Sequence, residues 1–196
     1  MARRSDHTRE ELHALALNAT EKFIAEYGIH QCSTRKIASL IGYTVGTLYN
    51  VFENQQDIFF QVNGRTLDRL YTSMEKTFHA HDGMERIYEM VKAYINFASA
   101  EYYLWGALSE PHPDIPTPEW YQQKMNRMLS LAGQALTPHL GEDQQLVMHA
   151  THVIWGGMHG ICRLTLNRLI EGGGTETALA LANSLVTHYL RGLQSI

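Results

Sequence analysis

The sequence predicts an all-α protein: a three-helix helix-turn-helix unit followed by a larger helical body. Three observations carry this. Apolar residues recur at three- and four-residue intervals along most of the 196 residues. No segment alternates apolar and polar residues as a strand would. The breaks between periodic stretches fall at glycines and at one proline cluster. With 44% apolar residues and a formal charge of −4, a disordered chain is excluded. Cys32 and Cys162 lie too far apart in sequence for a disulfide framework or a zinc motif. No run of about 18 apolar residues suggests a membrane span, and the charged start at Met1-Ala2-Arg3-Arg4 does not read as a signal peptide. The expected location is the cytoplasm.

Taken in order, Thr8 and Glu11 have the spacing of a capping box that opens a first helix. Leu12, Leu15, Ala16, Ala19 and Phe23 form its apolar face, and Gly28 closes it. Ser33 or Thr34 can cap a short second helix running from Arg35 to Ile41, ended by Gly42. Thr44 can cap a third through Val45-Gly46-Thr47-Leu48-Tyr49. Two short helices joined by a glycine-containing turn make a helix-turn-helix. A long amphipathic helix follows from about Gln55 to Phe78, and another from Met84 to about Ala100, with a continuation through Trp105 to Ser109 left open. Pro111, Pro113, Pro116 and Pro118 force a loop. Thr117-Pro118-Glu119 then opens a helix to about Leu136. Gly141-Glu142-Asp143 starts one reaching about Ile170, Gly172 to Gly174 break it, and the last helix spans Thr175 to Leu193.

Charge divides unevenly along this plan. Residues 1–52 carry a net of +1 and the remainder −5. A slightly basic head on an acidic body fits a nucleic-acid-reading module of residues 1–54 carried by a domain of residues 55–196 with another purpose.

The residues Thr34-Arg35-Lys36-Ile37-Ala38 and Gly42-Tyr43-Thr44-Val45-Gly46-Thr47-Leu48-Tyr49-Asn50-Val51-Phe52 resemble the DNA-binding domain of the tetracycline-repressor-like (TetR-like) bacterial transcription regulators. The resemblance covers roughly residues 8–62. It implies a dimeric, ligand-responsive regulator, expected to be a repressor, that binds a near-palindromic operator and is released by a small molecule. Two positions depart from the pattern: Val51 stands where the family has His or Tyr, and Gln55 where it has Lys. Both changes remove a phosphate donor, which Arg3, Arg4 and Arg9 on a preceding arm would partly replace.

The chemistry of these residues supports the same reading. Thr44, Val45, Gly46 and Thr47 are small enough for close approach to a duplex, while Leu48 and Phe52 anchor the helix from behind. Thr47 and Tyr49 offer hydroxyls to phosphates, and Thr34, Arg35 and Lys36 open the second helix where anions are favoured. Val45, with Asn50 assisting, is left for base edges. Gln55 completes the expected set.

In the body, Trp155-Gly156-Gly157-Met158-His159-Gly160 resembles a Trp-His-Gly signature of one carboxy-terminal subclass in that family. Three glycines in one helix cost about 1 kcal/mol each relative to alanine, so close packing should compensate. Aromatic and sulfur-bearing residues crowd the middle, including Tyr94, Tyr102, Tyr103, Tyr121, Met128, Met148 and Met158. They suit a largely apolar pocket for a hydrophobic effector. Phe97, Trp105, Trp120 and Trp155 are its expected walls, with Met125, His152 and His159 completing the set. The last two helices are expected to pair across a homodimer. No cofactor, resident metal or enzymatic motif is expected. Two alternatives stay open: a metal or haem sensor using His149, His152 and His159, and an adaptor that keeps the fold with altered or no operator binding.

Overall fold

The computed structural model describes residues 7–110 and 115–194. Arg3 and Arg4 of the expected arm, and Pro111, Pro113 and Asp114 of the proline loop, lie outside the described residues. The chain folds as two compact units. The first is drawn from Met1–Leu67 and Glu101–Tyr121, the second from Asp68–Ala100 and Gln122–Ile196. These units do not follow a single cut after residue 54. Ile58, Phe59 and Val62, and also Leu104 and Ala107, belong to the same buried cluster as Ile24, Ile37 and Leu48. Packing therefore keeps both flanking segments with the first unit.

In the first unit, α1 (Arg9–Tyr27) opens with the expected capping box. The Glu11 amide donates to Thr8 Oγ1 at 3.2 Å, and the Thr8 amide donates to Glu11 Oε2 at 2.7 Å. A 3-10 turn, Ile29–Gln31, which the periodicity does not resolve, links it to α2 (Thr34–Ile41). Ser33, not Thr34, caps α2, its side chain accepting from the Lys36 amide at 3.3 Å. Gly42 ends α2 with φ +74° and ψ 25°, a left-handed conformation in which any Cβ is strained. That conformation turns the chain sharply into Thr44 and α3 (Val45–Leu48).

α4 (Gln55–Ala80) begins in the first unit and ends in the second, where α5 (Gly83–Ala100) follows it. The helix does not continue from Ala100 to Ser109. Glu101 leaves helical geometry at φ −114° and ψ 42°, and the separate α6 (Tyr102–Ala107) packs in the first unit with Trp105 fully buried.

α7 (Glu119–Leu140), α8 (Gln144–Leu166) and α9 (Thr175–Gln194) complete the second unit together with α5. α7 runs four residues past Leu136, through Pro138. Pro138 sits in the last turn, where it removes the amide that would have donated to the Gln134 carbonyl. Asp143 caps α8, accepting from the Gln145 and Leu146 amides at 2.9 and 3.2 Å. α8 stops at Leu166, short of Ile170. Where α8 meets α9, a Cβ added to Gly157 would lie 2.5 Å from Leu185 Cδ2. This glycine therefore permits a close helix–helix approach, which offsets its helix-propensity cost. Gly156 and Gly160 have no atom within 4 Å of an added Cβ and face outward.

Candidate nucleic-acid interface and effector cavity

The helix-turn-helix presents a short, rigidly held α3. Thr44 Oγ1 accepts from the Thr47 amide at 3.2 Å and lies 2.9 Å from Thr47 Oγ1. On the far side, Leu48 is fully buried and Phe52 nearly so, in the cluster that contains Phe23 and Ile37. One side of α3 is thus tied down, and the other is open. Thr44, Gly46, Tyr49 and Asn50 are exposed there, with Arg35 and Lys36 exposed at the start of α2. Lys36 Nζ lies 5.4 Å from the Phe23 ring centroid, so its charge is braced against α1.

The remaining expected residues sit differently. Thr34 is buried, so its side chain is not part of the exposed face. Val45 is half-buried and packs against the core, which leaves only part of it for a base edge. Thr47 is half-buried, its hydroxyl engaged with Thr44. Gln55 Nε2 donates to the Cys32 carbonyl at 3.2 Å, a bond that holds α4 to the segment before α2. Val51 also packs against the core.

One neighbour of this face was missed in the sequence. His7 Nδ1 lies 2.7 Å from Tyr43 Oη, placing the residue before the α1 cap beside the turn that leads into α3. The two are 36 positions apart, and no local pattern links them.

The second unit holds an apolar cavity of about 50 Å3 between α4, α5, α7 and α8. Met74, Met90, Met128 and Met158 contribute thioethers, and Tyr94 and Trp155 contribute rings. Tyr94 Oη lies 3.0 Å from His159 Nδ1, and the His159 ring lies 6.2 Å from that of Trp155. Burial, and then the nearby Arg163 charge, lower the His159 pKa from its ordinary value, so the fold favours the neutral ring.

Of the seven expected ligand residues, Trp155 alone lines the cavity, with His159 one contact behind it through Tyr94. Helical phase explains the difference on α8: Thr151, Ile154, Trp155 and Met158 face inward, whereas His152 is exposed. Phe97 and Met125 are half-buried outside the lining. Trp105 and Trp120 belong to the first unit, one fully buried in its core and the other 38% exposed. Tyr94, Met128 and Met158, read in the sequence only as part of a crowded middle, are the ones that reach the cavity. Met90 was not singled out at all, although its spacing from Ile87 and Tyr94 places all three on one helix face.

Among the described residues, no three of the His, Cys, Asp and Glu side chains come together as a metal site. Both cysteines are buried free thiols. Burial pushes Cys32 up to about 11 and Cys162 up to about 12, far from the thiolate a soft metal would need. No helix of the described residues is long and apolar enough to cross a membrane.

A helix-turn-helix head and a helical, cavity-bearing second unit define the class: a helical protein with the architecture of a transcription regulator. Comparison with known proteins makes the assignment specific. Residues 16–62 match the model of bacterial regulatory proteins of the tetR family, and residues 87–189 match the tetracyclin repressor-like C-terminal domain. The chain belongs to the TetR family of transcriptional regulators. Solved structures share the fold at low sequence identity. A protein of unknown function from Rhodococcus sp. RHA1 is 17% identical with a TM-score of 0.75, covering 97% of this chain and 98% of that one. The TetR family transcriptional regulator PfmR from Thermus thermophilus is 17% identical with a TM-score of 0.65, covering 90% and 97%. A transcriptional regulator from Cytophaga hutchinsonii is 16% identical with a TM-score of 0.55, covering 92% and 95%. No curated protein matches the chain.

Proposed function

We propose that this TetR-family protein is a cytoplasmic repressor that binds a near-palindromic operator as a homodimer and releases it when a hydrophobic small molecule occupies the second unit. The first unit, built around residues 1–54, acts as the reading head, and the second unit as the effector-binding and dimerising body. The observation that carries the DNA reading is the two-sided α3: Leu48 and Phe52 are fixed in the core, while Thr44, Gly46, Tyr49 and Asn50 are offered outward beside Arg35 and Lys36. Such an element lies in a major groove, with hydroxyl and cationic groups setting its register on phosphates.

Two further features support the rest. The methionine-lined cavity is deformable and apolar, which suits a small hydrophobic effector. The outward faces of α8 and α9 expose Val153, Leu164 and Leu181, with Gly156 and Gly160 leaving room for a close partner helix. A second copy of the same face covers that surface, and operator half-sites one turn of DNA apart call for two α3 helices about 34–36 Å apart.

Mobility shift on the DNA upstream of the protein's own coding sequence tests this. Wild type should give one shifted species that weakens steeply with salt, and a Thr47→Val/Tyr49→Phe double variant should shift it less on every sequence. Sedimentation showing a monomer on tightly bound DNA would overturn the dimer. Absence of any shift would favour the adaptor reading, which the engaged Gln55 amide and the core-packed Val51 also fit.

A further inference from the structure

We propose that the effector is a straight-chain amphiphile with a protonated amine head. Its chain enters the methionine-lined cavity, and its head lies in the groove between α7 and α8. This rests on the effector reading above and narrows it to a ligand class.

Size gives the first argument. The cavity holds about 50 Å3, well short of the roughly 150 Å3 that encloses a benzene-sized guest. A methylene chain is thinner and needs only that the methionine side chains turn aside. Beside it, the α7–α8 groove offers about 470 Å3 open to solvent. The two spaces share walls, since Leu129 and Thr151 line both. The Leu129 and Thr151 side chains thus stand between the two spaces, and a ligand too long for the cavity reaches the groove where they move aside. Gly133 stands at this passage: a Cβ placed there would lie 3.4 Å from both Thr151 Oγ1 and Val147 Cγ1. A larger side chain would close the gap that glycine leaves.

Charge gives the second. No Lys, Arg or His lines either space. The groove contains one carboxylate, Glu142, which is exposed and forms no ion pair among the described residues. It lies at the carbonyl end of α7, the negative pole of that helix. The positive pole of α8 is already met by the Asp143 carboxylate, which caps it. His139, in the last turn of α7, is not among the lining residues. At this shared wall, Thr151 Oγ1 donates its proton to the Val147 carbonyl at 2.8 Å, so its remaining capacity is as an acceptor. Ser130, Gln134, Thr137 and Gln144 in the groove both donate and accept, so Glu142 and the carbonyl end of α7 set the preference for positive charge, and a cationic head fits better than a carboxylate.

Isothermal titration and thermal shift at pH 7.5, using n-octylamine, 1-octanol and n-octanoate at submicellar concentration, test this on wild type, Glu142→Gln and Gly133→Leu. Octylamine should bind tightest and octanoate at least about tenfold more weakly. Glu142→Gln should weaken octylamine about threefold, as expected for an exposed charge pair, and leave octanol unchanged. Gly133→Leu should weaken both amine and alcohol. Octanoate binding as well as octylamine, or an octylamine affinity indifferent to Glu142→Gln, overturns the head assignment; circular dichroism keeps a misfolded Gly133→Leu from counting, and the exposed Glu142 variant stands without it. Octylamine that binds as described yet leaves the operator complex intact refutes the effector reading and preserves the site. Toluene releasing DNA while no octyl compound binds refutes the site and preserves the effector reading.

Discussion

Removing the cap of α3 is the most direct probe of how the reading head works. The helix has only four residues, and Thr44 Oγ1 accepts the Thr47 amide while contacting the Thr47 hydroxyl. Loss of a threonine cap costs about 1 kcal/mol, within a range of roughly 0.5–2. Thr44 is exposed, so water can reach the freed amide, and a value near 1 is expected rather than the upper limit. Since 1.4 kcal/mol is tenfold, about 1 kcal/mol of lost preorganisation should weaken DNA binding about fivefold. Thr44→Ala should show both losses, and Thr44→Ser should show neither beyond about 0.5 kcal/mol because the accepting oxygen remains. Thr44→Asp separates the two effects. It caps as well as threonine but places a negative charge on the side proposed to face phosphates, so stability should hold while affinity falls, most strongly at low salt. Urea denaturation followed by circular dichroism gives the stability, and anisotropy of labelled operator over a salt series gives the affinity. Thr44→Ala with wild-type stability, or Thr44→Asp with wild-type DNA affinity, would refute the account of α3.

Leu48→Ala should cost about 2–5 kcal/mol in urea unfolding, because the side chain is fully buried and its loss leaves a cavity behind α3. The pKa of His159 is lowered in the fold, so its stabilising contribution is complete above the ordinary histidine value of about 6.5 and is lost as pH falls from there through the lower folded value. Urea midpoints measured between pH 7.5 and 5 should therefore fall less steeply in His159→Gln than in wild type, and parallel curves would contradict the assignment. Iodoacetamide at pH 7.5 should leave Cys32 and Cys162 unmodified in the native protein and label both in urea, as read by mass spectrometry, because burial holds the thiols at about 11 and about 12. Val153→Asp should dissociate the proposed dimer while leaving the helical circular dichroism of the protomer intact, since Val153 is 36% exposed on α8. Sedimentation equilibrium reads that outcome.

The reading head was largely legible in the sequence because its signals are local. The Thr8–Glu11 box, the Gly42 turn and the Thr44 cap each span a few residues, and each forms as its spacing implies. What stayed hidden depends on contacts between distant segments. The break at Glu101 interrupts a periodic stretch without proline or glycine, because Leu104 and Ala107 are drawn into a core built with α1. Thr34 reads as a polar surface residue, yet Ser33 takes the cap and leaves Thr34 buried. The tryptophans show the limit most clearly. Composition places three of them among the aromatic residues of the sequence, but Trp105 and Trp120 fold with the first unit and only Trp155 reaches the cavity. Composition reports how much aromatic surface exists, whereas helix phase and chain topology decide where it goes.

α8 shows what that phase achieves. Thr151, Ile154, Trp155 and Met158 recur at three- and four-residue steps and face the cavity, while His152, Val153, Gly156 and Gly160 occupy the opposite side. Gly157 lies between the two sets and meets Leu185 of α9. A single rigid helix therefore offers a cavity-facing stripe and an outward stripe whose registers cannot change independently. A small rotation of α8, if driven by the proposed chain beside Met158, would turn Val153 and Gly156 by the same angle. In the proposed symmetric dimer, that rotation would be imposed on both copies of the interface at once. An effector needs only to prefer one rotational setting of α8 over another, and its influence on the dimer is bounded by that difference in affinity. A fall in operator affinity of 100-fold corresponds to about 2.7 kcal/mol, comparable to burying a few methylene groups at about 0.8 kcal/mol each.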